Sequence, residues 1–234
     1  MELYAQAFTH QSVDPARNYE FLEFLGDSTL NKSIAFYLAE RFPHLQCPEG
    51  VKVLTRLKIN LISRKSFAGI AETLRFWDFV RTLEQTHDSK RQKVLEDVFE
   101  AFFGATEWLV ERRMGVGHGY HTCYALVSTF LAEIPISLRY EDLFDPKTRL
   151  KELFDFFRDR IGTLKYVNEK RDFMHHVSVF RVVNGREIEM GRGAAQLKVD
   201  AQQKASELAI EHLAKRNFRK DVPALYRTLE IHNE

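Results

Sequence analysis

Acidic residues recur inside two apolar segments of this sequence. The first segment, NYEFLEFLGDSTL, covers residues 18–30, and the second, LEDVFEAFFGA, covers residues 95–105. The carboxylates that stand out in them are Glu20, Glu23, Asp27, Asp97 and Glu100. Moving a carboxylate out of water costs several kcal/mol unless its charge is neutralised. Either these acids face solvent, or a cation lies among them.

The spacing of the acids favours a shared site. On helices, Glu23 and Asp27 would lie on one face because they are four residues apart, and Asp97 and Glu100 would do so at three. Each segment also contains one glycine that would allow two helix backbones to approach closely: Gly26 and Gly104. Two such helices packed together would bring four or five carboxylates to one place.

A carboxylate cluster of this kind predicts a metal site. Ligand sets made only of oxygen select hard ions, so the expected cofactor is Mg²⁺, with Mn²⁺ as a substitute. The chemistry that such a site supports is metal-assisted hydrolysis of phosphodiesters. From spacing alone an alternative stays open, since acids at these intervals also occur on solvent-facing helix surfaces without any metal.

Most of the first 135 residues are predicted to be helical, because apolar residues recur there at helical spacing. The predicted helices are Asn18–Glu40, Val51–Leu74 (as one helix or two), Val94–Arg113 and Tyr124–Ile134. The glycines of MGVGHG, residues 114–119, are expected to end the third helix, and Pro135 the fourth. Residues 81–92 lack an apolar stripe and are predicted to form a loop.

The pattern changes near Asp145, where strand-like segments replace the long helical ones. The predicted elements are a helix at Lys147–Arg160, strands at Leu164–Asn168, His176–Val183 and Arg186–Gly191, and a final helix at Lys198–Arg216. Asn184 and Gly185 between the last two strands are a strong hairpin signal. The order of elements after residue 145 is therefore α-β-β-β-α.

Composition and charge narrow the class of protein. The sequence has 44% hydrophobic residues, and its apolar runs are shorter than the roughly 18 residues of a membrane span. The N-terminus lacks a signal-peptide pattern. Two cysteines, Cys47 and Cys123, are too few to stabilise a chain of 234 residues through disulfide bonds. We therefore expect a soluble, cytoplasmic protein with no membrane partner. A net charge of −3 over residues 1–144 and +4 over residues 145–234 fits a catalytic part followed by a nucleic-acid-binding part.

Both acidic segments resemble the signature motifs of the ribonuclease III family. LEFLGDS at residues 22–28 matches the first motif, and the pattern D-x-x-E-A-x-x-G-A is intact at residues 97–105. AFTHQS at residues 7–12 and VKVLTRLKINLISRKSF at residues 51–67 are similar to other family segments. Together these matches extend over most of residues 4–135.

The C-terminal part also has a counterpart in the family. DPKTRLKELFDFF at residues 145–157 resembles the opening helix of the double-stranded-RNA-binding domain found in bacterial-type members. The resemblance implies an all-α endonuclease domain at residues 1–140, followed by a small α+β RNA-binding domain of α-β-β-β-α order at residues 145–217. Residues 218–234 form a tail to which no role is assigned.

The resemblance also implies roles for the acids. Glu23, Asp27, Asp97 and Glu100 would be catalytic residues that bind the metal, and Glu20 would support the site. The family works as a homodimer in which each subunit cuts one strand, leaving 5′-phosphate ends and short 3′ overhangs. Its signature helices lie at the subunit interface, which would account for the aromatic residues around the acids.

Residues that contact RNA are implied in the second domain. Three positions of its first helix match residues that face the minor groove: Thr148, Lys151 and Glu152. At its last helix the family's usual lysine cluster is reduced to Lys198, with Lys204 one turn further on, so we expect weak and salt-sensitive binding. The basic run SKRQK, residues 89–93, either tracks backbone phosphates or is a solvated face.

The leading hypothesis is an endoribonuclease that hydrolyses double-stranded RNA. One alternative is a catalytically silent protein that binds double-stranded RNA or forms part of a ribosome, but a scaffold has little reason to keep all four acids. A second alternative is a helical phosphohydrolase of nucleotides. Enzymes of that class usually carry histidines on the acidic helices, and the two segments above have none.

Overall fold

A computed structural model describes residues 2–83 and 88–231 of the chain. The chain divides into two compact units, residues 1–136 and residues 137–234. Within the described residues, no helix is both long and apolar enough to cross a membrane.

The described part of the first unit is helical. Its helices are α1 (Glu2–Ala7), α2 (Glu20–Arg41), α3 (Gly50–Leu61), α4 (Arg64–Thr73), α5 (Asp88–Met114) and α6 (His118–Ala132), with short 3-10 turns at Pro43–Leu45 and Phe76–Phe79. A single β-bridge joins Thr9 to Arg81. The predicted segment 51–74 therefore forms two helices, and Ser63 separates them because its hydroxyl caps the second by accepting from the N–H of Ser66.

Helices α2 and α5 form the centre of this unit. Their apolar faces bury large side chains, including Leu22, Leu30, Phe99 and Phe103. The ring of Phe99 lies 5.1 Å from that of Phe103 and 5.1 Å from that of Phe67 on α4. The helical spacing of the apolar residues, which the sequence displays, thus builds an aromatic core around α5.

Two helices begin earlier than the sequence predicts. Helix α5 starts at Asp88, so the predicted loop over residues 81–92 is wrong for residues 88–92, and residues 84–87 lie outside the described structure. Helix α6 starts at His118 rather than Tyr124, because the Glu111 carboxylate accepts hydrogen bonds from the N–H groups of Gly117 and Gly119. An early polar turn has no apolar stripe, so periodicity does not reveal it.

The second unit has the predicted α-β-β-β-α order, with a short helix added at each end. Its elements are α7 (Tyr140–Leu143), α8 (Pro146–Phe156), α9 (Arg158–Ile161), β1 (Thr163–Arg171), β2 (Met174–Val183), β3 (Arg186–Ala195), α10 (Lys198–Ala214) and α11 (Ala224–Ile231). The strands form one antiparallel sheet in the order β1-β2-β3. The predicted helix at 147–160 is interrupted at Phe157, and Asp145 caps its start by accepting from the N–H of Thr148.

Both hairpins turn on two residues with positive φ. Asn184 and Gly185 have φ of 50° and 74°, which confirms the predicted turn. Asp172 and Phe173, with φ of 46° and 63°, form the other turn, which the sequence does not signal because it has no glycine. The strands are accordingly longer than predicted, since β1 runs on to Arg171 before turning.

The α10 helix packs on the sheet around small residues. Val177 and Val179 of β2 are fully buried with Ala205 and Ala209 of α10. A Cβ on Gly193 would lie 2.4 Å from the carbonyl oxygen of Ala201, so only glycine allows α10 this close to β3. The apolar alternation of β2 and the alanines of α10 therefore form the core of this unit.

Part of the predicted tail is folded onto the second unit. The buried ring of Tyr226 on α11 lies 5.4 Å from the ring of Tyr140 and 5.7 Å from that of Phe144. Leu229 on the same helix is also buried. The tail thus contributes apolar packing next to α7, although its functional role stays unassigned.

Candidate active site on helices α2 and α5

The two acidic helices cross where each carries a glycine. A Cβ on Gly26 would lie 1.7 Å from the carbonyl oxygen of Glu100 and 2.9 Å from the Gly104 nitrogen. A Cβ on Gly104 would lie 2.0 Å from the carbonyl oxygen of Leu22. The predicted close approach of the two backbones is confirmed, and it brings the acidic turns of the two helices next to each other.

Three carboxylates converge beside this crossing. Oxygen atoms of Glu23, Asp97 and Glu100 all lie within 4.8 Å of one another, an arrangement that could hold a metal ion. Asp97 is only 4% exposed, and the two glutamates are half-buried. The helical spacing of the acids therefore places three of the four predicted catalytic residues at one point.

The other two predicted acids lie outside this group. Asp27 is exposed one turn after Glu23, and its carboxylate accepts a hydrogen bond of 2.8 Å from the amide of Asn31. Glu20 is also exposed, and its backbone N–H donates to the side chain of Asn18. Asp27 and Glu20 are thus not among the carboxylates whose oxygens lie within 4.8 Å of one another.

Burial and neighbouring negative charges raise the pKa values of Glu23 and Glu100. Burial, followed by the charge of Asp27, raises the pKa of Glu100 to about 8. Burial and the charge of Asp97 raise the pKa of Glu23 to about 7. Both groups therefore resist ionisation at neutral pH, because each negative charge lies in a partly desolvated place beside others.

Asp97 is held by two partners that are not among the predicted site residues. The ammonium of Lys93, one turn earlier on α5, donates to both of its oxygens at 2.8 and 3.0 Å. The hydroxyl of Tyr19 donates to one of them at 3.3 Å. The four-residue spacing of Lys93 and Asp97 is a signal for the first contact, whereas nothing in the spacing of Tyr19 and Asp97, 78 residues apart, indicates the second.

The segment at residues 7–12 supports Tyr19 through a backbone hydrogen bond. The N–H of Tyr19 donates to the carbonyl oxygen of Thr9, whose neighbour His10 bonds Ser12 through Nδ1 at 2.8 Å. The His10 ring lies 5.7 Å from the Tyr19 ring. This segment therefore positions a residue that holds Asp97, and His10 is buried as part of that support.

Comparison with known proteins identifies the family. The model of the Ribonuclease III domain matches residues 20–107, which include all five acids of the two segments. A ribonuclease 3 homologue of Invertebrate iridescent virus 6 is 36% identical, over 97% of this chain and 83% of its own length. The chain belongs to the ribonuclease III family. It is an endoribonuclease that acts on double-stranded RNA, and nothing in these comparisons favours the silent RNA-binding alternative.

Two further relatives, one bacterial and one viral, agree with this assignment. Ribonuclease 3 of a Geobacillus species is 33% identical over 91% of this chain and 85% of its own length. A ribonuclease 3 homologue of Frog virus 3 is 37% identical over 91% of this chain, which spans 56% of that relative. The nuclease domain of Campylobacter jejuni ribonuclease III covers 56% of this chain and 85% of its own length, at 30% identity and a TM-score of 0.45. Enzymes of the ribonuclease III family depend on divalent metal ions, and the acidic cluster supplies ligands of the required type.

The RNA-contacting residues predicted in the second unit differ in their solvent exposure and in their hydrogen bonds within the protein. Lys151, Lys198 and Lys204 are exposed. Thr148 donates its hydroxyl to Asp145 at 2.7 Å. Glu152 is half-buried and accepts hydrogen bonds at 2.6 Å from the hydroxyl of Tyr140 and at 2.9 Å from the ammonium of Lys220. An RNA contact by Glu152 would therefore compete with bonds inside the protein.

The raised pKa values predict that the metal-free enzyme loses stability as the pH rises. The pKa of both Glu23 and Glu100 is 4.5 in the unfolded chain, and in the folded protein it rises to about 7 for Glu23 and about 8 for Glu100. Between the unfolded and folded pKa values, the folded state therefore binds more protons than the unfolded state. Stability is thus lost between about pH 5 and pH 8, and a divalent ion should restore it by binding the ionised form. Thermal unfolding in EDTA from pH 5.5 to 8.5 checks this, with the E23Q/E100Q variant as the control that lacks both titrations. If the unfolding temperature of the wild type fell with pH no more steeply than that of the variant, the raised pKa values of Glu23 and Glu100 would be contradicted.

Proposed function

We propose that this endoribonuclease uses Glu23, Asp27, Asp97 and Glu100 as its catalytic acids, with Mg²⁺ as the cofactor and Mn²⁺ as a substitute. The observation that carries the proposal is the convergence of three carboxylates within 4.8 Å at the crossing of α2 and α5. Asp27 belongs to the set because its charge is the largest of those that raise the pKa of Glu100.

The donor set fits a hard divalent cation. All the converging groups offer carboxylate oxygens, and burial, followed by the charges of neighbouring acids, raises the pKa values of Glu23 and Glu100. When bound, divalent ions activate a water molecule for attack and stabilise charge on the phosphate and the leaving oxygen. A cation here would relieve the repulsion that the metal-free acids experience.

Other residues of the chain fix the positions of the carboxylates for this chemistry. The glycine crossing sets the distance between the two acidic turns, and Tyr19 and Lys93 hold Asp97 in one orientation. Asp97 is thereby preorganised as the most buried ligand. Glu23 and Glu100 are half-buried, so part of each side chain stays accessible to solvent.

We further propose that the enzyme acts as a homodimer, in which each subunit cuts one strand and leaves a 5′-phosphate and a short 3′ overhang. Phe21 and Phe24 on α2 are 52% and 68% exposed, an unusual state for phenylalanines beside a catalytic cluster. A second subunit would cover them. Glu20, on the same exposed face, would support the site at this interface.

The second unit is proposed to bind the RNA duplex. The proposed domain limits are residues 1–140 for catalysis and 145–217 for RNA binding, with residues 218–234 as a tail. The proposed contacts are Thr148, Lys151, Glu152, Lys198 and Lys204. An enzyme whose substrate is intracellular RNA would work in the cytoplasm, which is the location we propose.

Replacing Lys198 with alanine is expected to weaken RNA binding about equally for all sequences and to flatten its salt dependence by close to one unit of slope. The reason is that an exposed lysine at the start of α10 would contact phosphate and not a base. Filter binding in Ca²⁺ at several salt concentrations measures both effects. Lys215, exposed at the other end of α10, provides the matched control K215A. If the RNA affinity of K198A depended on salt as steeply as that of the wild type, Lys198 would not be a phosphate contact.

Incubating the full chain with a long, end-labelled RNA duplex tests the proposed function. Parallel reactions contain Mg²⁺, Mn²⁺, Ca²⁺ or EDTA, and the products are resolved by size and end chemistry. Short duplexes with 5′-phosphates and 3′ overhangs in Mg²⁺ and Mn²⁺, and none in EDTA, are expected. Binding without cleavage in Mg²⁺ would contradict the proposal and would support a silent RNA-binding protein instead.

A further inference from the structure

Lys93 lies where a cation is needed, although the family motif begins only at Asp97. Its ammonium donates to both oxygens of Asp97, at 2.8 and 3.0 Å. The Lys93 side chain is 53% exposed, whereas that of Asp97 is 6% exposed. The ammonium therefore reaches the buried carboxylate from the solvent side of the cluster.

The position of Lys93 brings it into competition with a metal ion. Its charge acts on Glu23 and Glu96 as well as on Asp97, so one ammonium partly neutralises several acids. A divalent ion bound among Glu23, Asp97 and Glu100 needs an oxygen of Asp97, and Lys93 engages both of them. Two cations that share one ligand group in a small space repel each other.

We infer that Lys93 is a resident counter-cation, which holds Asp97 in the metal-free enzyme and must release an oxygen when a divalent ion binds. Lys93 is a positioning residue in this role. It keeps the acids assembled before the ion arrives, and its charge lowers the affinity of the site for the ion. This inference rests on the proposed metal site and adds a residue that sets how much metal the enzyme requires.

The direction in which the Mn²⁺ affinity changes when the Lys93 charge is removed distinguishes this role from a simple structural one. In the K93M variant the site carries one more uncompensated negative charge, so we expect Mn²⁺ to bind about tenfold more tightly. The metal-free variant should also unfold at a lower temperature than the wild type, because the acids then repel without relief. A residue that merely supported the ligands would weaken Mn²⁺ binding when removed.

Titration of the full chain with Mn²⁺, followed by the electron paramagnetic resonance signal of the free ion, measures the affinity directly. K93M is compared with the wild type, with K93R, which keeps the charge, and with K52M, which removes an exposed lysine of α3. K93Q serves in place of K93M if the latter does not fold. K93R and K52M should bind Mn²⁺ like the wild type.

The outcomes separate the inference from the proposed function. Tighter Mn²⁺ binding by K93M, abolished in the double variant K93M/E100Q, supports the counter-cation role. Equal or weaker binding by K93M, with normal binding by the wild type, overturns this role and leaves the metal site intact. Failure of the wild type to bind Mn²⁺, or binding that E100Q does not reduce, overturns both.

Discussion

Replacing Glu100 with glutamine is expected to lower the rate of RNA cleavage by a factor on the order of 10³, while duplex binding stays within about twofold of the wild type. Glutamine keeps the size of the side chain but removes the charge that a divalent ion needs. Glu100 lies at the point where the acids converge, and its pKa is raised to about 8 by burial and by the charge of Asp27. The loss should therefore appear in the chemical step.

Single-turnover cleavage in Mg²⁺ and filter binding in Ca²⁺ separate these two effects. The control is E133Q, which makes the same change at an exposed position beyond the end of α6 and should cleave like the wild type. Cleavage by E100Q at the wild-type rate would show that this carboxylate does not serve the reaction. Equal loss of binding and cleavage would assign Glu100 to the RNA contact instead.

Replacing Gly26 with alanine is expected to destabilise the enzyme by about 3 kcal/mol and to remove most of its activity. The added Cβ would lie 1.7 Å from the carbonyl oxygen of Glu100, a distance that no rotamer change can relieve because the α2 backbone fixes the position of the Cβ and the oxygen belongs to the α5 backbone. The helices α2 and α5 would have to separate. Glu23 would then move away from Asp97 and Glu100.

The matched control for this substitution is Gly69, which lies on the exposed face of α4 with nothing within 4 Å of an added Cβ. G69A should stabilise the enzyme by up to about 1 kcal/mol, because alanine favours helix more than glycine does. Urea unfolding at fixed pH compares the two variants. If G26A were as stable and active as G69A, the close crossing of the two helices would be wrong.

The main features of the site could be predicted from the sequence because they depend on local spacing. Glu23 lies one turn from Asp27, and Asp97 one turn from Glu100, so helix geometry alone assigns each pair to a face. The two glycines indicated where the helices could touch. Which acids then meet depends on rotamers and on the crossing, and for that reason Asp27 was expected within the group but lies outside it.

The partners of Asp97 could not be predicted with the same ease. Tyr19 is separated from it by 78 residues and reaches it only because α2 and α5 pack together. Lys93 was predicted to belong to a basic run that contacts phosphate or solvent, but its ammonium instead lies on Asp97. The four-residue spacing allows the contact between Lys93 and Asp97 but does not select it over phosphate or solvent, and a contact across 78 residues leaves no periodic pattern in a sequence.

The second unit shows the same division between local and distant signals. Apolar alternation and the Asn184–Gly185 turn identified the sheet, whereas the turn at Asp172 and Phe173 carries no glycine and was not predicted. The helix α11 is short, and its packing depends on Tyr226 meeting Tyr140, a contact across more than 80 residues. Its amphipathic pattern alone was too brief to predict a folded tail.

The most direct test of the active site is to locate Mn²⁺ by anomalous scattering from crystals of the full chain grown with Mn²⁺. We predict an anomalous peak among the carboxylates of Glu23, Asp97 and Glu100, which is lost in crystals of E100Q. A peak at another place, or no peak at saturating Mn²⁺, would contradict the assignment of these acids as the metal-binding centre of the nuclease.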